Sequence, residues 1–159
     1  MRNNIVFWFG LILLSNITTI CYAAPKTEDQ IKFRQSAMML LRWNMGAIKN
    51  QVLTNPQNFN KDKVVASARV IAAISNSGLE TLFTSQSSTG KGWIKTKVKS
   101  GYFEQTDDVK KRYAKFSREA NQLLDVANSK DVTSIKHQFQ ALLDTCKGCH
   151  KKYRNKKLW

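Results

Sequence analysis

Val132-Thr133-Ser134-Ile135-Lys136-His137-Gln138-Phe139-Gln140-Ala141-Leu142-Leu143-Asp144-Thr145-Cys146-Lys147-Gly148-Cys149-His150-Lys151-Lys152-Tyr153 decides the fold. Val132, Ile135, Phe139, Leu142, Cys146, Cys149 and Tyr153 recur at steps of three and four, which places them on one stripe of an α-helix. Asp131 stands just before it, where a short acidic side chain caps the exposed N–H groups of a first turn. A helix with one apolar stripe buries it against other helices, so the stretch points to an all-α bundle if the remainder supplies matching stripes. It also sets Cys146 and Cys149 on the core side.

Working outward, three more stripes appear. Thr27-Glu28-Asp29-Gln30 reads as a capping box opening a first helix. Its stripe is Ile31, Met38, Leu41, Met45, Ile48 and Val52, and Asn55-Pro56 ends it. Arg34 falls on the same face, one turn before Met38, where a guanidinium needs an anion. Asn60 caps a second helix carrying Val64, Ala68, Ile71 and Ser75 and closing at Gly78, a residue suited to a left-handed cap. Residues 84–101 show no sustained period and read as a long loop, tacked down by packing of Leu79, Leu82, Phe83 and Trp93. Thr106 or Asp107 opens a third helix with Val109, Tyr113, Phe116, Ala120, Leu123 and Ala127 on its stripe, ending near Asn128-Ser129. No strand pattern or internal repeat competes. The expected architecture is an antiparallel four-helix bundle.

The N-terminus reads differently. Arg2, the apolar run Ile5 to Leu14 and small residues Cys21 and Ala23 before a cut have the form of a secretory signal peptide, so 1–23 is expected to be removed and 24–159 to form the domain. Ser15, Asn16, Thr18 and Thr19 interrupt the run below the roughly 20 apolar residues of a membrane span, so no membrane insertion is expected after cleavage. The chain carries 26 Lys and Arg against 11 Asp and Glu, a net charge of +15. These charges are spread along the chain with few aromatics interleaved, which argues against nucleic acid and for a basic surface that steers an acidic partner protein.

Removal of Cys21 leaves only the pair in Cys146-Lys147-Gly148-Cys149-His150. C-x-x-C-H is the attachment signature of c-type haem, in which two thiols bond the porphyrin vinyls and the imidazole binds iron. On one helix these residues stand at i, i+3 and i+4 and share a face. Structural zinc takes four ligands, and His137 lies 13 residues before His150, about 220° around the helix. A redox dithiol sits at a helix N-terminus, whereas this pair closes one. Haem c, one per chain, is therefore the expected cofactor, with Cys146 and Cys149 as anchors and His150 as axial iron ligand. Arg34 suits a haem propionate. Met38 is placed near the haem, as a sixth ligand or as an apolar plug, and Arg154 near the proximal face or a propionate. No paired carboxylates, nucleophile–base set or phosphate loop appears, so no enzyme is expected.

Arg34-Gln35-Ser36-Ala37-Met38, then Trp43 and Gly46, together with Cys146 to Arg154, resemble cytochrome c′, the class II c-type cytochromes. Cytochrome c′ is itself one of the known four-helix bundles, so the resemblance and the stripes are not independent on that point. The resemblance implies a periplasmic protein, frequently a homodimer, with five-coordinate iron held by His150, Met38 lining the blocked distal side, Arg34 beside a propionate and Arg154 beside the proximal face. It implies binding of nitric oxide or another diatomic gas, electron transfer, or both. A low-spin electron carrier with Met38 as sixth ligand is the alternative, and a haem-free basic interaction bundle a third. Tyr102-Phe103 stand where the family commonly has Trp.

Overall fold

The computed structural model describes residues 25–128 and 131–155. The expected leader at 1–23 lies outside them, as does the basic tail beyond Asn155. Helices α1 (Thr27–Lys49), α2 (Lys61–Ser75), α4 (Thr106–Ala127) and α5 (Val132–Tyr153) form the bundle, and α3 (Gly101–Glu104) is a single turn. α1 packs on α2, α2 on α4 and α4 on α5, in the order of the chain. Among the described residues strand pairing is confined to isolated bridges.

Two expected caps hold: Asn60 accepts from the Lys63 N–H, and Asp131 from Thr133 and Ser134. The box at Thr27 does not form. α1 begins at Thr27 itself with Lys26 as the cap residue, and the Gln30 amide donates to the Pro25 carbonyl instead. α1 also does not run unbroken to Asn55, because residues Asn50–Thr54 widen into a π turn that buries Gln51 and Val52. The Gln51 side chain there accepts the Asn60 N–H at 2.7 Å, holding the entry to α2. α2 ends at Ser75, and Gly78 adopts the left-handed φ of 72° that starts the next turn.

The core draws three residues from each segment: Leu41, Ile48 and Val52; Val64, Ala68 and Ile71; Ala120, Leu123 and Ala127; Ile135, Phe139 and Leu142. Burial of each larger member contributes roughly 1.5–3 kcal/mol. Buried Glu119 joins α4 to α5, its carboxylate accepting from Gln138 at 2.9 Å.

This core fills one half of the bundle. The π turn closes that half by reaching α5, while α1 and α5 otherwise barely approach each other. At the opposite end lie the N-terminus of α1, the C-terminus of α5 and segment 79–105. That segment is ordered. It holds 3-10 turns at Leu79–Leu82 and Ser85–Ser88 and an antiparallel bridge between Lys91 and Lys95. Trp93 does not tack it down by burial, being 61% exposed. Hydrogen bonds to α1 do so. Gln35 Nε2 donates to the Ile94 carbonyl at 2.9 Å, Gln35 Oε1 accepts the Trp93 N–H at 2.8 Å, and the Trp93 indole donates to Ser36 at 3.0 Å. Gly92 lies flat on α1, where a Cβ would come within 2.8 Å of the Lys32 nitrogen.

Candidate functional site

On both facing stripes, burial lapses at matching levels. Along α1, Ile31 is 0%, Arg34 3% and Leu41 9% exposed, yet Met38 between them is 37% exposed. Along α5, Leu142 and Tyr153 are buried while Cys146 and Cys149 are half-buried and His150 is exposed. α4 contributes half-buried Tyr113 and Phe116 beyond the last core residue, Ala120. A cleft thus opens between α1 and α5, at the end of the bundle where the core stops.

Cys146, Cys149 and His150 lie in the last turns of α5. Both thiols are free. Burial pushes both thiols upward, and desolvation together with the nearby Arg154 charge lowers His150, which favours a neutral imidazole able to bind metal. Among the described residues no three His, Cys, Asp or Glu side chains converge as a metal site. A porphyrin supplies four nitrogens of its own and asks for one imidazole, so the donor set suits haem and not a zinc cage.

Two further observations fit a large anionic group. Tyr113 Oη is buried without a hydrogen-bond partner, and burial pushes its pKa upward, with smaller contributions from Glu80, Tyr102 and Cys149. Arg34 is buried and forms no ion pair among the described residues. Its Nη1 donates to Ser87 Oγ at 2.7 Å, and Nη2 to the Ser87 carbonyl at 2.7 Å and Thr96 Oγ1 at 2.6 Å. The Phe83 ring lies 4.8 Å from the guanidinium carbon. Sequence reading gave Arg34 to a propionate; in the structure these donors reach neutral loop oxygens, and the positive charge itself is left without a carboxylate.

Arg154 lies beyond the helix, in extended backbone paired with Val98. Tyr102 takes its place in an aromatic group with Phe83, Phe103 and Tyr153. His137 is exposed on α5, as expected.

Sequence reading missed Asp108. One carboxylate oxygen, Oδ2, accepts from Arg112 Nε at 2.7 Å, from Lys152 Nζ at 3.1 Å and from the Tyr153 hydroxyl. The Arg112 and Tyr153 hydrogen bonds hold its carboxyl well below the usual range. Asp108 therefore ties the last turn of α5, two residues past His150, to the first turns of α4. No periodicity announces such a contact between distant segments.

Known proteins match most of the described chain. The cytochrome c′ family profile matches residues 29–154. Cytochrome c′ of Rhodocyclus tenuis is 44% identical over 131 residues, covering 82% of this chain and 97% of that protein. Cytochrome c′ of Allochromatium vinosum is 36% identical over 147 residues, covering 92% and 94%. The solved structure of a cytochrome c′ with ligand-controlled dimer dissociation superposes with a TM-score of 0.79 at 37% identity, covering 84% of this chain and all of that one. The stripes, the terminal C-x-x-C-H and the cleft are thus those of a haem c protein, and the chain belongs to the cytochrome c′ family.

Proposed function

We propose that this is an exported, periplasmic haem protein, not an enzyme, that binds nitric oxide or another diatomic gas at five-coordinate iron and exchanges electrons. What supports it is that burial lapses at Met38 on α1 and at Cys146, Cys149 and His150 on α5, stripes whose flanking members are buried. The cofactor supplies reversible iron redox chemistry and an open coordination position. Cys146 and Cys149 anchor it, His150 holds the iron, and Met38 crowds the far side. Arg34 offers its uncompensated charge to a propionate, and Arg154 sits beside the proximal imidazole.

Met38→Ala separates this reading from a six-coordinate carrier. With Met38 as a plug, the variant stays high-spin and binds carbon monoxide roughly tenfold more tightly, the scale of removing a few buried methylenes. A low-spin protein that turns high-spin on this substitution would establish Met38 as a ligand instead. Absorption spectra of the ferrous protein with and without carbon monoxide decide it.

The partner copy of a homodimer docks on α1. Phe33, Met39, Leu40 and Trp43 are 56%, 66%, 53% and 76% exposed on its outer side. Ser36 and Ala47 complete this face by rotation at about 100° per residue. Four large apolar side chains on one helix face are unusual for a monomer's surface. The related cytochrome c′ with ligand-controlled dimer dissociation supports a dimer. Trp43→Glu is expected to weaken association by at least about 30-fold, the loss of one interface hot spot. Sedimentation showing an unchanged dimer would remove this interface.

A further inference from the structure

The Lys99 N–H donates to the Tyr153 carbonyl at 2.9 Å and the Asn155 N–H to the Lys97 carbonyl at 2.8 Å, around the antiparallel bridge of Val98 with Arg154. This pairing joins basic segments that are some 50 residues apart in sequence, by the numbering itself. Lys97 and Lys99 are brought beside the end of α5, where Lys147, Lys151 and Arg154 recur at steps of four and three. On the helix Lys147 and Lys151 follow Cys146 and His150 by one position, and Arg154 follows Tyr153 in the extended segment that pairs with Val98, so the three flank the C-x-x-C-H turn. Lys152 adds a further cation.

Two carboxylates pair with members of this group. Asp144 pairs with Lys147 at 3.6 Å with both side chains about three-fifths exposed, at 61% and 62%, and Asp108 takes Lys152 at 3.1 Å. The exposed Asp144 pair contributes little and is screened by salt, whereas Asp108 holds Lys152 within the network it shares with Arg112 and Tyr153. Among the described residues the exposed large apolar side chains nearest in sequence are Trp93 and Ile94, and none lies between Lys97 and Lys99 or between Lys147 and Arg154. A surface built to enter a bilayer interleaves such side chains with its charges, and one built for single-stranded nucleic acid interleaves aromatics.

We propose that Lys97, Lys99, Lys147, Lys151, Lys152 and Arg154 form the docking surface for an acidic electron-transfer protein. The inference rests on the reading of this chain as a haem protein that exchanges electrons, and it assigns the place of exchange. The partner's carboxylates meet the cations beside the turn that carries the haem. In such a complex one electron would pass from the partner's reduced centre, which would be oxidised, to the haem that Cys146, Cys149 and His150 would hold. Docking at the far end of the bundle would put the whole helical core between the two centres.

The test uses ferrous holoprotein and two small oxidants of opposite charge, hexacyanoferrate(III) and tris(phenanthroline)cobalt(III), in stopped-flow measurements at several ionic strengths. The combined variant Lys99→Gln, Lys147→Gln and Lys151→Gln is compared with Lys49→Gln, Lys61→Gln and Lys63→Gln at the opposite end. Both remove the same charge from exposed or half-exposed positions, and unchanged haem spectra verify folding. The first set is expected to slow hexacyanoferrate(III) by roughly tenfold at low salt, speed the cobalt complex, and flatten the salt dependence, whereas the second changes each rate by less than about twofold. Equal effects of the two sets, or no effect of the first, would overturn the docking surface while leaving the redox reading intact. A holoprotein that reacts with neither oxidant overturns both. Binding to anionic phospholipid vesicles that depends on the first set, with electron exchange unaltered, would assign the face to a membrane surface and overturn the proposal.

Discussion

Replacing Cys146 and Cys149 together by Ala is expected to abolish covalent haem. A thioether survives denaturation, so the unaltered protein retains haem peroxidase staining on a denaturing gel, and the double variant loses it completely. The half-buried state of both sulfurs on the cleft wall places them where a porphyrin edge can meet them. Stability follows the cofactor. Without a group in the cleft, Met38, Tyr113 and Phe116 stay partly exposed, and the Tyr113 hydroxyl stays unpartnered. A cofactor bound to the folded state alone stabilises it by mass action, and a loss of about 2–3 kcal/mol corresponds to a Tm lower by roughly 10 °C for a domain of this size. Staining that persists in the double variant would refute the assignment of these sulfurs. His150→Ala distinguishes anchoring from ligation: the stain remains, and the ferric spectrum changes because the axial ligand has gone.

Much of this was legible because helices advertise their buried faces. The stripes of α4 and α5 appear as read, and Asn60 and Asp131 cap as read, because both signals are local. Thr27 misled because Lys26, in extended backbone, already offers its carbonyl to Gln30, which starts the helix before a threonine cap can act. Trp93 misled for another reason. An apolar side chain in a loop suggests burial, but Gly92 brings this loop flat onto α1 and turns the tryptophan outward, where its indole bonds Ser36. The cleft itself was partly legible. The motif named one wall, and Arg34 on an apolar stripe hinted at the other. That Met38 is uncovered between buried neighbours depends on how far α1 stands from α5, which no single helix encodes. The bridge of Val98 to Arg154 and the Asp108 contacts likewise join segments whose proximity arises from the whole bundle.

Arg34→Leu is expected to release the loop and alter the iron together. Leucine keeps apolar volume beside Phe83 but leaves Ser87 and Thr96 without their charged donor. A hydrogen bond from a charged group contributes about 1.5–3 kcal/mol, and part is recovered because the guanidinium no longer has to be desolvated. A net loss of about 2–4 kcal/mol is expected. It falls on the loop first. Amide exchange of Ser87 and Thr96, whose N–H groups bond Thr84 and Gly90, accelerates before that of Leu123 or Phe139 in the core. Burial lowers the Arg34 pKa, but a guanidinium still carries its proton at neutral pH. Its charge therefore acts on any redox centre in the cleft. A positive charge favours the reduced state, so removing it lowers the reduction potential. Arg34→Lys discriminates: it retains the charge and so the potential, yet cannot span Ser87 and Thr96 with a planar fork, and the loop still exchanges faster. Loop protection that survives in both variants would show that Gln35 and Ser36 hold the segment without Arg34. A potential unmoved in Arg34→Leu would place the haem propionates away from α1.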